Sequence, residues 1–379
     1  MQSYKEELQN NILPFWLQNA QDKKHGGIYT CLDEEGNVYG REKSVWFQGR
    51  ALWVFSKAYN VIEKKPEYLA AAENIYRFLP LCGDENGRMF FTVTEDGREI
   101  QKRRYYFSET FAAIGCAEYY KATGNRQAWE KAEAYFETAY RLFTGALPSQ
   151  PKLNPQNAPY KSLSPVMIML STAQCMRSVD PEKYDPIAKS MAWEILHGGY
   201  LQEDALLEHV SVDGKFVDTP TGRTVNPGHS LEAAWFLMTE GLYRNEKELI
   251  ETALRITDFS MKRGLKNGGI LAFADAKGKP PVALEWDMQL WWPQCEACIA
   301  NRLAYRITGE EKYKSNFEAL YSYTDTHFAD KKNGEWYGYL HYDGTVANTL
   351  KGNIFKGPFH IPRLYIFLAL DAENILEKF

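Results

Sequence analysis

A chain of 379 residues with 45% hydrophobic and 25% charged side chains carries enough apolar material for a large core, which excludes disordered, collagenous and disulfide-stapled miniature folds. The formal charge of −5 comes from 44 basic and 49 acidic residues scattered along the sequence, without the basic stripe that contact with nucleic-acid phosphates requires. No uncharged apolar run reaches the roughly 18 residues of a membrane span, and Met1 to Glu7 lack the apolar stretch of a secretory leader, so a cytoplasmic protein without membrane contact is expected.

Apolar residues recurring every three or four positions predict helices over about 4–20, 43–60, 66–80, 105–123, 125–144, 163–178, 181–197, 228–243, 245–262, 286–307, 309–328 and 360–377. Between them, five glycine-containing turns lead into strand-like runs. These are Gly26-Gly27-Ile28-Tyr29 to Gly36, Gly87-Arg88-Met89-Phe90-Phe91 to Gly97, Leu206-Leu207-Glu208-His209-Val210 to Gly214, Gly268-Gly269-Ile270-Leu271 to Gly278, and Gly334-Glu335-Trp336-Tyr337 to Gly344. Each reads as a small hairpin. Their first turns fall at 27, 87, about 205, 269 and 334, in steps of 60, 118, 64 and 65 residues. The long step is two short ones, so one unit, near Gly145, lacks its hairpin.

Six units of two helices each can stack as an open solenoid or close into a ring. A solenoid needs polar caps at both ends, whereas the last helix carries the apolar run Leu364-Tyr365-Ile366-Phe367-Leu368-Ala369-Leu370. Closure is therefore expected, giving an all-α fold, an (α/α)6 barrel of twelve helices spanning 1–379 as one domain. The short β-hairpins would gather at one mouth, where a ligand binds.

The six cysteines sit in apolar stretches as free thiols would, and the pair Cys295 and Cys298 lies on a helix with neither a second pair nor a nearby histidine, so no metal is expected. Dinucleotide fingerprint, phosphate loop, nucleophile elbow and His-Glu-x-x-His are all missing, which leaves cofactor-independent chemistry on histidines and carboxylates. Ten Trp, 24 Tyr and 20 Phe supply flat apolar faces of the kind that suit sugars.

His229 follows Asn226-Pro227-Gly228, an N-cap and first helical turn, so its ring belongs near the barrel mouth. The positive end of the helix dipole there disfavours imidazolium, and Glu232, one turn on, can orient the ring. His360, in Gly357-Pro358-Phe359-His360, enters the mouth from the sixth unit as His229 does from the fourth. Arg50, seven residues after Lys43, and Glu296, four after Trp292, are charges inside apolar helical runs, costly unless they pair with each other or face a polar cavity.

These windows resemble the N-acylglucosamine 2-epimerase family, also described as renin-binding proteins. The matching stretches are Lys43 to Arg50 with Trp53; Arg223 to Trp235; Leu284-Glu285-Trp286 through Leu290-Trp291-Trp292-Pro293 to Glu296; and Gly334-Glu335-Trp336 through Phe355-Lys356-Gly357 to Phe359-His360-Ile361-Pro362-Arg363. The resemblance implies an (α/α)6 barrel, a homodimer, and interconversion of N-acetyl-D-glucosamine and N-acetyl-D-mannosamine, with ATP as an allosteric activator and no cofactor in the chemistry. It implies His229 and His360 as the acid/base pair, Arg50 and Glu296 as essential site residues, and Glu232 beside His229. Two histidines on opposite walls would deprotonate and reprotonate C2 of the open-chain sugar, with Trp292 packing on its apolar face. An epimerase or aldose–ketose isomerase for another sugar, a glycoside hydrolase with two facing carboxylates, and a non-catalytic interaction protein are the alternatives left open by the residues.

Overall fold

The structure is a computed structural model and describes residues 3–102, 106–148, 154 and 156–370. Apolar periodicity sets its helices: α1 (Tyr4–Glu7), continued through the π-turn Leu8–Ile12 into α2 (Leu13–Asn19), then α3 (Val45–Val61), α4 (Pro66–Phe78), α5 (Phe107–Thr123), α6 (Arg126–Phe143), α7 (Leu163–Arg177), α8 (Pro181–His197), α9 (Pro227–Arg244), α10 (Lys247–Gly264), α11 (Trp291–Thr308), α12 (Glu311–His327) and α13 (His360–Leu370). With α1 and α2 forming one interrupted rod, the described residues contain twelve helical rods. Residues 371–377 of the twelfth expected helix lie outside the described residues.

Two kinds of helix alternate. On α6 the buried residues Ala128, Trp129, Ala132, Phe136, Ala139 and Leu142 form one stripe, as on an outer helix, whereas α3, α5, α9, α11 and α13 are buried on most of their circumference. The inner ring runs α3, α5, α7, α9, α11, α13, and α13 packs against both α11 and α3, so the ring closes as an (α/α)6 barrel. Closest approach occurs between α3 and α5. A Cβ on Gly49 would lie 2.4 Å from the Phe111 carbonyl carbon, and one on Gly115 would lie 2.5 Å from the Gly49 oxygen. Only glycine permits this backbone contact.

The strands are shorter than expected, two or three residues each, and they tie each unit to the hairpin of the next. Lys43–Ser44, which leads into α3, pairs antiparallel with Thr92–Val93 beyond α4. Tyr160–Ser162 before α7 pairs with His209–Ser211 beyond α8, Thr224–Val225 before α9 with Ala274–Asp275 beyond α10, and Met288–Leu290 before α11 with Tyr339–His341 beyond α12. Every such strand precedes an inner helix, which places the N-termini of these helices at the hairpin mouth. Near Gly145 the structure shows no strand among the described residues, in line with a lost hairpin. The sequence pattern had run the helices back through Lys43–Ser44 and 286–290; strand pairing across the unit overrides local helical periodicity there. Lys43 thus stands outside the helix and does not share a helical face with Arg50.

Side chains lock the hairpins with a repeated geometry. Lys43 Nζ donates to Asp22 Oδ2 at 2.6 Å and to the Gly26 carbonyl at 2.7 Å; Lys351 Nζ donates to Asp330 Oδ2 at 2.6 Å and to the Gly334 carbonyl at 2.8 Å. Both lysines are fully buried, and both aspartates lie below the usual carboxylate range, the lysine and backbone N–H bonds overcoming a burial that works the other way. In the first turns of α3 and α11, Gln48 and Gln294 each bond both the N–H and the carbonyl of a hairpin isoleucine, Ile28 and Ile270. These pairs satisfy backbone groups that a short hairpin leaves over. All six cysteines are free, and no described helix is long and apolar enough to cross a membrane.

Lys43→Met leaves the Asp22 carboxylate buried without its cation and is expected to cost about 3–5 kcal/mol. Equilibrium urea unfolding measures this, and adding Asp22→Asn should recover part of the loss. Equal stability of Lys43→Met and the parent would show that the lock is dispensable.

Candidate active site

At the hairpin mouth the inner helices open into a cavity of about 650 Å³, whose wall includes Trp46, Arg50, His229, Glu232, Phe359 and Arg363. The Asn226 side chain accepts from the His229 N–H, Pro227 opens α9, and the third residue of the helix is then His229, its side chain 27% exposed. The partner of this ring is Glu208, in the hairpin between Ala205–Leu206 and His209–Ser211, at 2.9 Å from Nδ1 to Oε1. Glu208 is itself held by its backbone, N–H to Thr224 and carbonyl to Leu163.

His360 opens α13 and is buried. Its Nδ1 donates to Glu296 Oε1 at 2.8 Å, and the other oxygen of Glu296 accepts from the Trp235 indole at 2.8 Å. Arg363, one turn further along α13, ion-pairs with Glu296 at 2.7 Å and with Glu232. In both dyads a carboxylate accepts the hydrogen bond of Nδ1–H, so the nitrogen left for proton exchange is Nε2 on each ring. Trp292 packs against both imidazoles, with ring centroids 5.1 Å from His229 and 5.7 Å from His360. That seat depends on Gly228, where a Cβ would fall 2.5 Å from the indole edge.

The two imidazoles are driven apart in basicity. His360 falls well below the ordinary value of 6.5, first through burial and then through the positive charges of Arg363 and Arg50. His229 is also penalised by burial, but the charge and hydrogen bond of Glu208 outweigh it and raise the ring above 6.5. His229 is therefore the more basic ring and His360 the less basic one. This is the arrangement that sorts a base from an acid.

Arg50 completes the site. The close crossing at Gly49 lays its guanidinium 3.9 Å from the Phe111 ring centroid and 4.7 Å from that of Phe359. It forms no ion pair among the described residues, and its Nε is buried without a partner. Burial lowers it to about 9, still cationic at neutral pH. An unpaired cation beside the cavity is ready for an oxygen that gains negative charge.

The structure thus brings His229, His360, Arg50, Glu296, Glu232 and Trp292 into one place but corrects their pairing. Glu232 does not orient His229; the Arg363 cation, arriving from α13, claims it, and Glu208 fills the expected role. The Glu208 charge also outweighs the helix-dipole effect that should have kept His229 unprotonated. Glu296 pairs with Arg363 and His360 instead of Arg50. Both carboxylates are tied to Arg363, so neither is free to protonate the leaving group of a glycosidic bond. Glu232, Glu296 and His360 converge closely enough to hold a cation, and the cation they surround is Arg363. Trp291 and Trp336 belong to the buried core, while Trp46 lines the cavity. The sequence reading missed Glu208 and Arg363 as site residues. Each had a signal, a lone carboxylate within the apolar run Ala205–Val210 and a lone cation one turn after His360.

A family model described as N-acylglucosamine 2-epimerase (GlcNAc 2-epimerase) matches residues 27–359. The chain is 34% identical to the N-acylglucosamine 2-epimerase of Rattus norvegicus over 97% of its own length and 91% of the relative, and 33% identical to that of Homo sapiens over 96% and 88%. Among solved structures, the cellobiose 2-epimerase of Bacillus thermoamylovorans B4167 superposes with a TM-score of 0.83 at 22% identity, covering 97% of this chain and 98% of that one, a likeness of fold.

Replacing Glu208 by Gln removes the charge that holds His229 up, so the His229 pKa is expected to drop below 6.5 while His360 stays low. Titration of the imidazole Cε1–H resonances by NMR reads this directly. An unchanged His229 would show that Glu208 does not govern it.

Proposed function

Since the chain belongs to the N-acylglucosamine 2-epimerase family and is a sugar epimerase, we propose that it interconverts N-acetyl-D-glucosamine and N-acetyl-D-mannosamine by proton transfer at C2 of the open-chain sugar. The observation that carries this reading is the pair of imidazoles of opposite basicity packed on Trp292 beside the cavity, each with Nδ1 fixed by its own carboxylate. The animal relatives named above support the substrate.

In the open-chain form the C1 carbonyl acidifies the C2 hydrogen. One imidazole Nε2 takes that proton, the C2–H bonding pair moves into a C1–C2 double bond, and negative charge develops on O1. Arg50 faces that charge without an ion pair of its own, Glu232 and Glu296 being paired with Arg363, in surroundings of low polarity that strengthen the attraction. The other imidazole returns a proton to C2 from the opposite face, and the configuration inverts. With His360 as base and His229 as acid, the forward step starts with the proton on the more basic ring. The reverse step uses the same single proton on the other ring, so both directions share one pH profile. An acetamido group at C2 prevents collapse of the intermediate to an ordinary 2-ketose, which favours epimerisation.

Glu296 and Glu232 serve through Arg363. Together they fix α13 so that His360 stays neutral, and the Arg363 charge is the main electrostatic reason after burial that it does. Trp292 sets both rings against one surface.

Incubation with N-acetylmannosamine in heavy water should give N-acetylglucosamine carrying deuterium at C2. His360→Asn and His229→Asn should each lower epimerisation by about 10²–10⁴-fold. Each variant should still exchange the C2 hydrogen of the one epimer that faces its remaining histidine. For the parent, kcat/KM should follow a bell, its acid limb well below pH 6.5 from His360 and its alkaline limb above pH 6.5 from His229. Epimerisation within twofold of the parent in both variants, or product free of deuterium, would overturn the two-base mechanism.

A further inference from the structure

The cavity does not stop at the catalytic histidines. Its wall on α9 runs from His229 through Glu232, Phe236 and Thr239 to Tyr243, one helical face over nearly the whole helix. Fourteen residue rises of about 1.5 Å make this about 21 Å. On α7 the wall likewise runs from Ser164 to Ser178. At the far end, opposite the hairpin mouth, Tyr243 is 55% exposed and Ser178 and Lys121 meet solvent. The barrel axis is therefore a shaft, and the sugar site occupies only its upper part.

The lower shaft has a distinctive chemistry. Ile114, Met167, Ile168 and Phe236 give it apolar walls. Its polar groups already have partners inside the protein. Ser171 and Thr172 hydroxyls donate to the Ile168 carbonyl at 3.3 and 2.6 Å, Thr239 to the Trp235 carbonyl at 2.8 Å, and the Gln174 amide to the Phe236 carbonyl at 3.0 Å and to Glu240 at 2.9 Å. The donors of these groups are spent, so a polyol entering this region would exchange its water for acceptors alone, at a cost for each hydroxyl left short of a donor. A hydrocarbon chain loses nothing and gains burial.

We propose that the lower shaft is a separate subsite for an acyl chain carried on the C2 nitrogen, so that the protein binds 2-acylamino sugars with chains well beyond acetyl. This rests on the C2-epimerase reading in placing C2 at the histidines, with the shaft leading away from them past Arg50. The subsite would sort substrates by chain length through apolar contact alone, since each methylene buried from water strengthens binding about fourfold at most.

The test uses N-acetyl-, N-butanoyl- and N-hexanoylmannosamine with the full chain, following binding by calorimetry and C2 exchange in heavy water by NMR. Affinity should rise at least tenfold from acetyl to hexanoyl, with exchange retained on all three. Ser171→Phe and Ile168→Trp, which fill the shaft from one wall, should each lower the hexanoyl-to-acetyl ratio of affinities tenfold or more, the ratio serving as each variant's own control for folding. Hexanoyl binding tenfold weaker than acetyl, with N-acetylmannosamine still exchanging, would overturn the subsite and leave the epimerase reading standing. Absence of exchange on all three sugars together with the expected rise in affinity would overturn the reaction assigned above and leave the shaft as an acyl-binding site.

Discussion

One buried carboxylate holds the functional half of the barrel together. Glu296 is without solvent exposure on α11 and accepts from Trp235 on α9 and from His360 on α13, while pairing with Arg363. A carboxylate taken out of water costs several kcal/mol unless all its lone pairs are occupied, and here two other helices, α9 and α13, supply the partners. Moving α13 relative to α9 or α11 would strip partners from Glu296. Ring closure, the position of His360 and the ionisation of the site are consequently aspects of a single charge network, and the network explains why an arginine can sit 3.3 Å from an imidazole nitrogen. That proximity keeps His360 unprotonated.

The repeated locks show where the fold has been left free for chemistry. Gln48 and Gln294 occupy the same early position on α3 and α11 and spend their amides on the hairpin. On α9 the corresponding residue is Ser230, a smaller lock that donates to the carbonyls of Leu206 and Asn226. Its neighbours His229 and Glu232 face the cavity. At α13 the hairpin is held from outside the helix, by Lys356 bonded to Glu335 at 2.8 Å and to the Trp336 carbonyl at 3.0 Å, which releases the first turn for His360 and Arg363. Units one and five spend their first-turn amides on the hairpins, whereas units four and six turn His229, Glu232 and Arg363 toward the cavity. Arg50, the contribution of unit one, lies deeper, past the glycine contact of α3 with α5.

Much of this was legible along the chain. The twelve helices and the six-unit repeat follow from apolar spacing and turn glycines, which act within a few residues and need no knowledge of the fold. His229 and His360 were identifiable because each follows a helix-start signal at the mouth. The strands at Lys43–Ser44 and Met288–Leu290 were not, since a two- or three-residue strand has no period of its own and exists only through its partner some 50 residues away.

What the sequence by itself determined is therefore the element order, the closure of the ring and the placing of His229 and His360 at helix starts on the mouth, because local spacing encodes them. The tertiary structure decided which charge meets which. Glu208 reaches His229 across 21 residues, and Arg363 reaches Glu232 across 131. Coulomb interactions depend on distance in space and on the dielectric between the groups, and neither is written in sequence order. The change of partner, Glu208 for Glu232, makes His229 the more basic member of the pair. The depth of the shaft belongs to the same class, since a cavity exists only where six helices fail to meet.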